Sequence, residues 1–225
     1  MIKVPATIEG IPAVEVLTAE GTLMFSLEHY EAVAQAYLRG IDRHPDPHRV
    51  VSVASLFVSR LDVVADRLLE AIGSPEALSL RGRIGIANAK RVYRRFREVF
   101  YGEPFAALKR RGARVQRPLW ASTGTKNPSY SDVLYLEALV GPDTITTVPP
   151  ATMDAFRDHG RVRVTLGTEE EDAEAALGNA TDLGLDVHAI TEQLQADAVK
   201  AFASSFDQLV ATLAEKRRQI VTAAR

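Results

Sequence analysis

The stretch VVSVASLFVSRLDVVADRLLEAI, residues 50–72, decides the fold. Its first nine residues, Val50 to Val58, are β-branched and mostly apolar, as a parallel strand covered on both faces should be. LDVVADRLLEAI then changes to helical spacing, so a strand feeds directly into a crossover helix. The same unit recurs on both sides. Upstream, IKVPA leads into IPAVEVLTAEG, where Ile11, Val14 and Leu17 share a helix face and Gly21 is placed as a C-terminal stop. TLMF is an unusually short second strand. Ser26 after it can cap a helix with Tyr30, Val33, Tyr37 and Ile41 in its apolar stripe.

Downstream, GSPEALSLRG is the most linker-like segment, and IANAKRVYRRFREVF is a basic amphipathic helix with Val92, Phe96 and Val99 inward. Arg91, Arg94 and Arg95 read as the solvated face of that helix. RPLWAST is a strand, GTKNPSYSD a polar loop, VLYLEALV a helix, TITTVP a strand ended by Pro149 and Pro150, and ATMDAFRDHG a helix. Thr168 before EEEDAEAAL is placed as a helix cap. From Ile190 onward one or two long helices turn Leu194, Val199, Phe202, Phe206, Leu209 and Leu213 inward. The alternation predicts an α/β protein of one domain over residues 1–225, with strand–helix units to residue 184 and C-terminal helices from 185.

Composition narrows the function. With 46% hydrophobic and 25% charged residues the chain can bury one sizeable core, and a formal net charge of -2 removes any whole-molecule argument for nucleic acid or an anionic membrane. No apolar run is long enough to span a bilayer, so a cytoplasmic location is expected. The absence of cysteine excludes disulfides, a thiolate nucleophile and thiolate zinc sites, and the five histidines show no metal-ligand spacing.

Four groups of residues fall at the C-terminal ends of the predicted strands, where parallel α/β folds place their sites. They are Lys3, Thr22, Ser55 with Phe57 and Arg60, and Ser122 with Lys126. A lysine desolvated inside such a fold supplies a neutral amine that can attack a carbonyl and form a Schiff base. Arg60 and Lys126 suit a phosphate, one by a forked pair of hydrogen bonds and the other as a point charge. Singly, each has an ordinary structural role: an exposed lysine, a solvated helix residue, a strand-end hydroxyl bonded to its own backbone.

Together and in order, these segments resemble transaldolase in its actinobacterial form. IKVPAT is similar to that family's Schiff-base lysine motif, and TLMFSLEHYEAVAQAYLRG, VVSVASLFVSRLD, RPLWASTGTKNPSYSDVLYLEALVGPDT and TVPPATMDAFRDHG resemble later segments in matching order. The resemblance implies a transferase of the non-oxidative pentose phosphate pathway. It moves a dihydroxyacetone unit from fructose 6-phosphate or sedoheptulose 7-phosphate to erythrose 4-phosphate or glyceraldehyde 3-phosphate, with no cofactor. It assigns Lys3 as the amine, Thr22 to a catalytic water, Ser55, Phe57 and Ser122 to the sugar pocket, and Arg60 with Lys126 to the substrate phosphate. The implied fold is part of a (β/α)8 barrel that lacks the first three strands. Between Gly21 and Thr22 the family also carries a strand segment with a substrate-contacting asparagine, and here AEG runs straight into TLMF. No carboxylate stands out as the general base; Glu9 lies in the loop after Lys3. Two other expectations follow: a non-catalytic fragment that associates through its open barrel edges, or a simpler Schiff-base aldolase acting on fructose 6-phosphate.

Overall fold

The computed structural model describes residues 2–18 and 20–223. Among these, five strands form one parallel sheet: β1 (Lys3–Pro5), β2 (Glu20–Met24), β3 (Val53–Phe57), β4 (Arg117–Ala121) and β5 (Ile145–Thr146). Their spatial order is β1-β2-β3-β4-β5. Each strand pairs with the next in sequence, so every crossover steps in the same direction. That is the winding of a barrel wall; a doubly wound sheet reverses direction at a switch point.

Helices α1 (Gly10–Leu17) and α2 (Leu27–Arg43) follow β1 and β2. Four more precede β4: α3 (Ser59–Ile72), α4 (Pro75–Ser79), α5 (Ile84–Phe100) and α6 (Glu103–Arg110). The remainder are α7 (Leu134–Ala138) before β5, then α8 (Pro150–His159), α9 (Glu170–Asp182) and α10 (Val187–Ala223).

Strand alternation divides the sheet into two faces. Ala54, Leu56 and Trp120 point into the main core, where they meet Val33 and Tyr37 of α2 and Phe96 of α5. Val53, Leu119 and Ala121 lie on the opposite face, with Phe57 and Ile145 packed against them. A separate apolar cluster joins α3, α5 and α9 through Leu61, Leu69, Ile84 and Leu177. The arginines of α5 sit outside these cores. Arg91 and Arg94 pair with Glu174 of α9, and Arg95 pairs with Glu31 of α2; the face expected to be solvated is partly exposed and also carries these ion pairs between helices.

Several local expectations are corrected. Gly21 does not stop α1: that helix ends at Thr18, whose backbone is left-handed at φ 46°, and Gly21 lies inside β2. Its lack of a side chain serves packing, because a Cβ there would fall 2.3 Å from Cγ1 of the buried Val33. The strand that reads as TLMF therefore starts two residues earlier, at Glu20. Leu17, expected inward, is half-exposed because α1 packs chiefly through Val14. GSPEALSLRG is not an open linker, since α4 forms within it, capped by the Ser74 hydroxyl, and Ala77 and Leu80 are buried.

Thr168 caps nothing. Its hydroxyl donates to the Thr165 carbonyl, and the residue before α9 is Glu169 in a left-handed conformation. In α10, Leu194 and Val199 pack against buried residues, whereas Phe202, Phe206, Leu209 and Leu213 are exposed. The helical period correctly aligned these side chains on one face; it carries no information about how far along the helix a neighbour extends.

Candidate functional site

The face of the sheet opposite the main core carries the residues with chemistry. Register places Lys3 beside Glu20, and the Lys3 ammonium lies 3.0 Å from Glu20 Oε1. The same oxygen accepts a hydrogen bond of 2.9 Å from the Ser55 hydroxyl. Three neighbouring strands thus contribute an amine, a carboxylate and a hydroxyl in sequence. Glu20 and Ser55 are buried, at 2% and 1% exposure, while 56% of the Lys3 side chain is open to solvent. Glu20 Oε2 is buried and has no hydrogen-bond partner.

Two features of Lys3 differ from expectation. It is the first residue of β1 and not at that strand's C-terminal end; Thr22 and Ser55 likewise sit in the middle of their strands. Nor is Lys3 desolvated, because β1 is an edge strand and leaves its side chain open on one side. The amine is reachable from solvent and faces a buried carboxylate.

The other candidates form a rim at the strand ends. Phe57 ends β3, and the guanidinium of Arg60, one turn into the chain after it, lies 5.0 Å from the Phe57 ring centroid. Ser122 follows β4 in a left-handed conformation, φ 56°, with its hydroxyl 2.8 Å from that of Ser59. The backbone reinforces this junction, since Ser59 N–H donates to the Ser122 carbonyl. Lys126 lies farther along the loop and is exposed. Thr22 is partly buried beside Pro5, with its carbonyl accepting from Ala6 N–H.

Helix α10 covers the far end of the β1 and β2 strands. Gln195 donates from its amide to the carbonyls of Ala6 and Leu23, and Ala198 packs with Leu23 and Phe25. Leu23 has φ 56°, and the register between β2 and β3 shifts between Gly21 and Met24.

A buried carboxylate pair fixes the rim. Asp62 accepts from Gly85 N–H at 2.6 Å and from the Tyr135 hydroxyl at 2.8 Å; Asp66 accepts from Gly82 N–H at 2.8 Å and from the Tyr130 hydroxyl at 2.6 Å. The segment carrying Arg60 is thereby tied to the loop after β4 that carries Lys126. Burial pushes the Asp62 carboxyl up to about 6, against the downward pull of the Gly85 and Tyr135 hydrogen bonds. Burial, with the adjacent carboxylate, also pushes the Tyr135 hydroxyl far above its usual range.

Glu20, Asp62 and Asp66 escaped the sequence reading. A signal for Glu20 was present: extending the short TLMF strand back by two residues puts it on the same face as Thr22. Asp62 and Asp66, four apart in LDVVADRL, occupy a helix face whose neighbours Leu61, Ala65 and Leu69 are all buried, where charges need partners.

A parallel sheet wound in one direction, with a lysine paired to a buried carboxylate on the face opposite the main core, defines the class as a parallel α/β protein with a candidate amine site. Comparison with known proteins gives the family. The transaldolase/fructose-6-phosphate aldolase pattern matches residues 1–213, and the chain belongs to that family. It is 43% identical over 220 residues to a transaldolase of Mycolicibacterium smegmatis, an alignment covering 93% of this chain and 59% of the relative. A transaldolase of Mycobacterium ulcerans is 44% identical over 221 residues, with 93% and 59% covered. One of Mycobacterium tuberculosis is 43% identical over 234 residues, with 99% and 62% covered. The chain thus spans about three-fifths of the length of the curated relatives it matches. No helix among the described residues is long and apolar enough to cross a membrane.

Proposed function

We propose that the chain carries transaldolase chemistry, with Lys3 as the Schiff-base residue. The observation that carries this reading is the solvent-reachable Lys3 amine beside Glu20 and Ser55 on the inner face of a barrel-like sheet, in a member of this family. The five strands are then an arc of a (β/α)8 barrel, and residues 1–225 a single domain of cytoplasmic type.

The Lys3 amine adds to the C2 carbonyl of a ketose phosphate and water departs. The resulting iminium accepts the electron pair when the C3–C4 bond breaks, and the C4 hydroxyl gives its proton to solvent as it becomes the aldehyde. The three-carbon enamine then attacks the aldehyde of an aldose phosphate, and hydrolysis frees Lys3. The lysine is itself the electron sink, so these steps call for no cofactor. Ser55, Phe57 and Ser122 line the sugar pocket, Thr22 holds a water, and Arg60 with Lys126 receives the phosphate.

Fructose 6-phosphate and erythrose 4-phosphate supplied together should yield sedoheptulose 7-phosphate and glyceraldehyde 3-phosphate. Glyceraldehyde 3-phosphate released without an acceptor would indicate a simple aldolase. Absence of both products would overturn the catalytic reading and leave the non-catalytic one. That second reading is favoured by one observation: β1 and β5 are open edges, and such edges recruit another strand, here in self-association. Sedimentation velocity of the chain alone would detect it.

Arg60→Ala should raise KM for fructose 6-phosphate by about 10–30-fold, since a charge-assisted contact to phosphate contributes roughly 1.5–2 kcal/mol. Binding of unphosphorylated dihydroxyacetone should stay unchanged. Equal losses for both ligands would mean that Arg60 acts by covering Phe57.

A further inference from the structure

Beyond the Schiff-base lysine, we propose that Glu20 is the acid–base residue of imine formation, shuttling one proton between the Lys3 nitrogen and the departing oxygen of the ketose. The inference rests on the Schiff-base reading above and adds a residue to it. Its physical basis is the state of the Glu20 carboxylate. A nearly fully buried carboxyl group is costly unless its lone pairs are satisfied. Oε1 is satisfied twice, by the Lys3 ammonium at 3.0 Å and the Ser55 hydroxyl at 2.9 Å. Oε2 is satisfied by nothing. A buried acceptor left open next to a solvent-reachable amine is suited to a donor that arrives with the substrate, and the hydroxyl formed at the attacked carbonyl is such a donor.

The proton balance follows. As found, the pair is ammonium and carboxylate, and an ammonium has no lone pair with which to attack. Transfer of one proton across the 3.0 Å contact gives the neutral amine and the protonated Glu20. The amine nitrogen bonds to C2 of the ketose while the carbonyl electron pair moves to oxygen. The nitrogen's surplus proton passes to that oxygen, and the product is a neutral carbinolamine. Glu20 then gives its proton to the carbinolamine hydroxyl, the C–O bond breaks, and water leaves. What remains is an iminium beside a carboxylate, again a compensated pair. Ser55, by donating to Oε1, holds the carboxyl group in place throughout.

The opposite reading of the same contact is that the ion pair merely ties Lys3 down. Rates of borohydride-trapped adduct formation from fructose 6-phosphate separate the two, with circular dichroism reporting the fold of each variant. Glu20→Gln should trap about 10²–10⁴-fold more slowly than the native chain, the usual share of positioned acid–base help. Its rate should recover as pH is raised and solvent removes the lysine proton. Glu20→Ala should be slow as well, and added acetate should restore part of its rate, a rescue that a purely structural role would not give. Trapping by Glu20→Gln at the native rate or faster overturns the acid–base role and leaves the Schiff base standing. No adduct in the native chain overturns both.

Discussion

Lys3→Arg should lower the proposed three-carbon transfer between ketose and aldose phosphates by about 10⁴-fold or more, the scale of loss expected when a covalent residue is removed. Arginine keeps the positive charge, and its guanidinium can still pair with Glu20, so the electrostatic balance of the inner sheet face survives. It remains protonated at any workable pH and cannot form an imine. The Lys3 side chain is 56% exposed, so the bulkier group has room. Unfolding curves should therefore coincide with those of the native chain while the coupled assay falls to background. Activity within tenfold of native would remove Lys3 from the chemistry.

Asp62→Asn should stabilise the protein at neutral pH and do little in acid. The folded-state pKa of Asp62 is raised from 3.8 to about 6, with burial the largest cause. The neutral acid is thus the form the fold prefers. The stability tied to that proton is fully present below about pH 4 and is lost as pH rises through about 6, with a total on the order of 3 kcal/mol. Asparagine mimics the neutral acid: its carbonyl oxygen can accept from Gly85 N–H and its amide can donate to the Tyr135 oxygen. The gain of the variant over native should grow between pH 4 and 8 in urea unfolding. Glu15 and Glu174, whose arginine partners hold their carboxyls below the usual range, titrate in both proteins and cancel in the difference. A destabilisation that is the same at every pH would mean that the Asp62 hydrogen bonds matter more than its charge.

Much of the fold was legible because parallel strands and their crossover helices differ in period. VVSVASLFV could not be a wet helix, and the stripe from Tyr30 to Ile41 could not be a strand; the helix lies where expected, and the strand, expected over Val50 to Val58, is confined to Val53–Phe57, with Val51 half-exposed before it. Boundaries set by tertiary contact were not legible. The glycine of AEG has two readings, helix stop or tight packing, and only the position of Val33 decides between them. The outer half of α10 has a regular apolar stripe and no described neighbour over Phe202 to Leu213, a fact that lies in space and not in sequence.

The site divides in the same way. Motifs singled out Lys3, Ser55 and Arg60, and the structure brings the first two together at Glu20 while Arg60 stands over Phe57 at the strand ends. Glu20 was hidden by an error of two residues at a strand start, and Asp62 and Asp66 by their resemblance to surface charges. Their importance lies in what each touches: an amine, a hydroxyl, two glycine amides and two tyrosines.

The central claim is that the Lys3 nitrogen becomes covalently bound to a ketose. Reduction with borohydride in the presence of fructose 6-phosphate, followed by peptide mapping by mass spectrometry, tests it directly. The account predicts one reduced three-carbon adduct, located on Lys3 and absent from Lys3→Arg. An adduct on Lys90 or Lys126 instead, or none at saturating ketose, would contradict it.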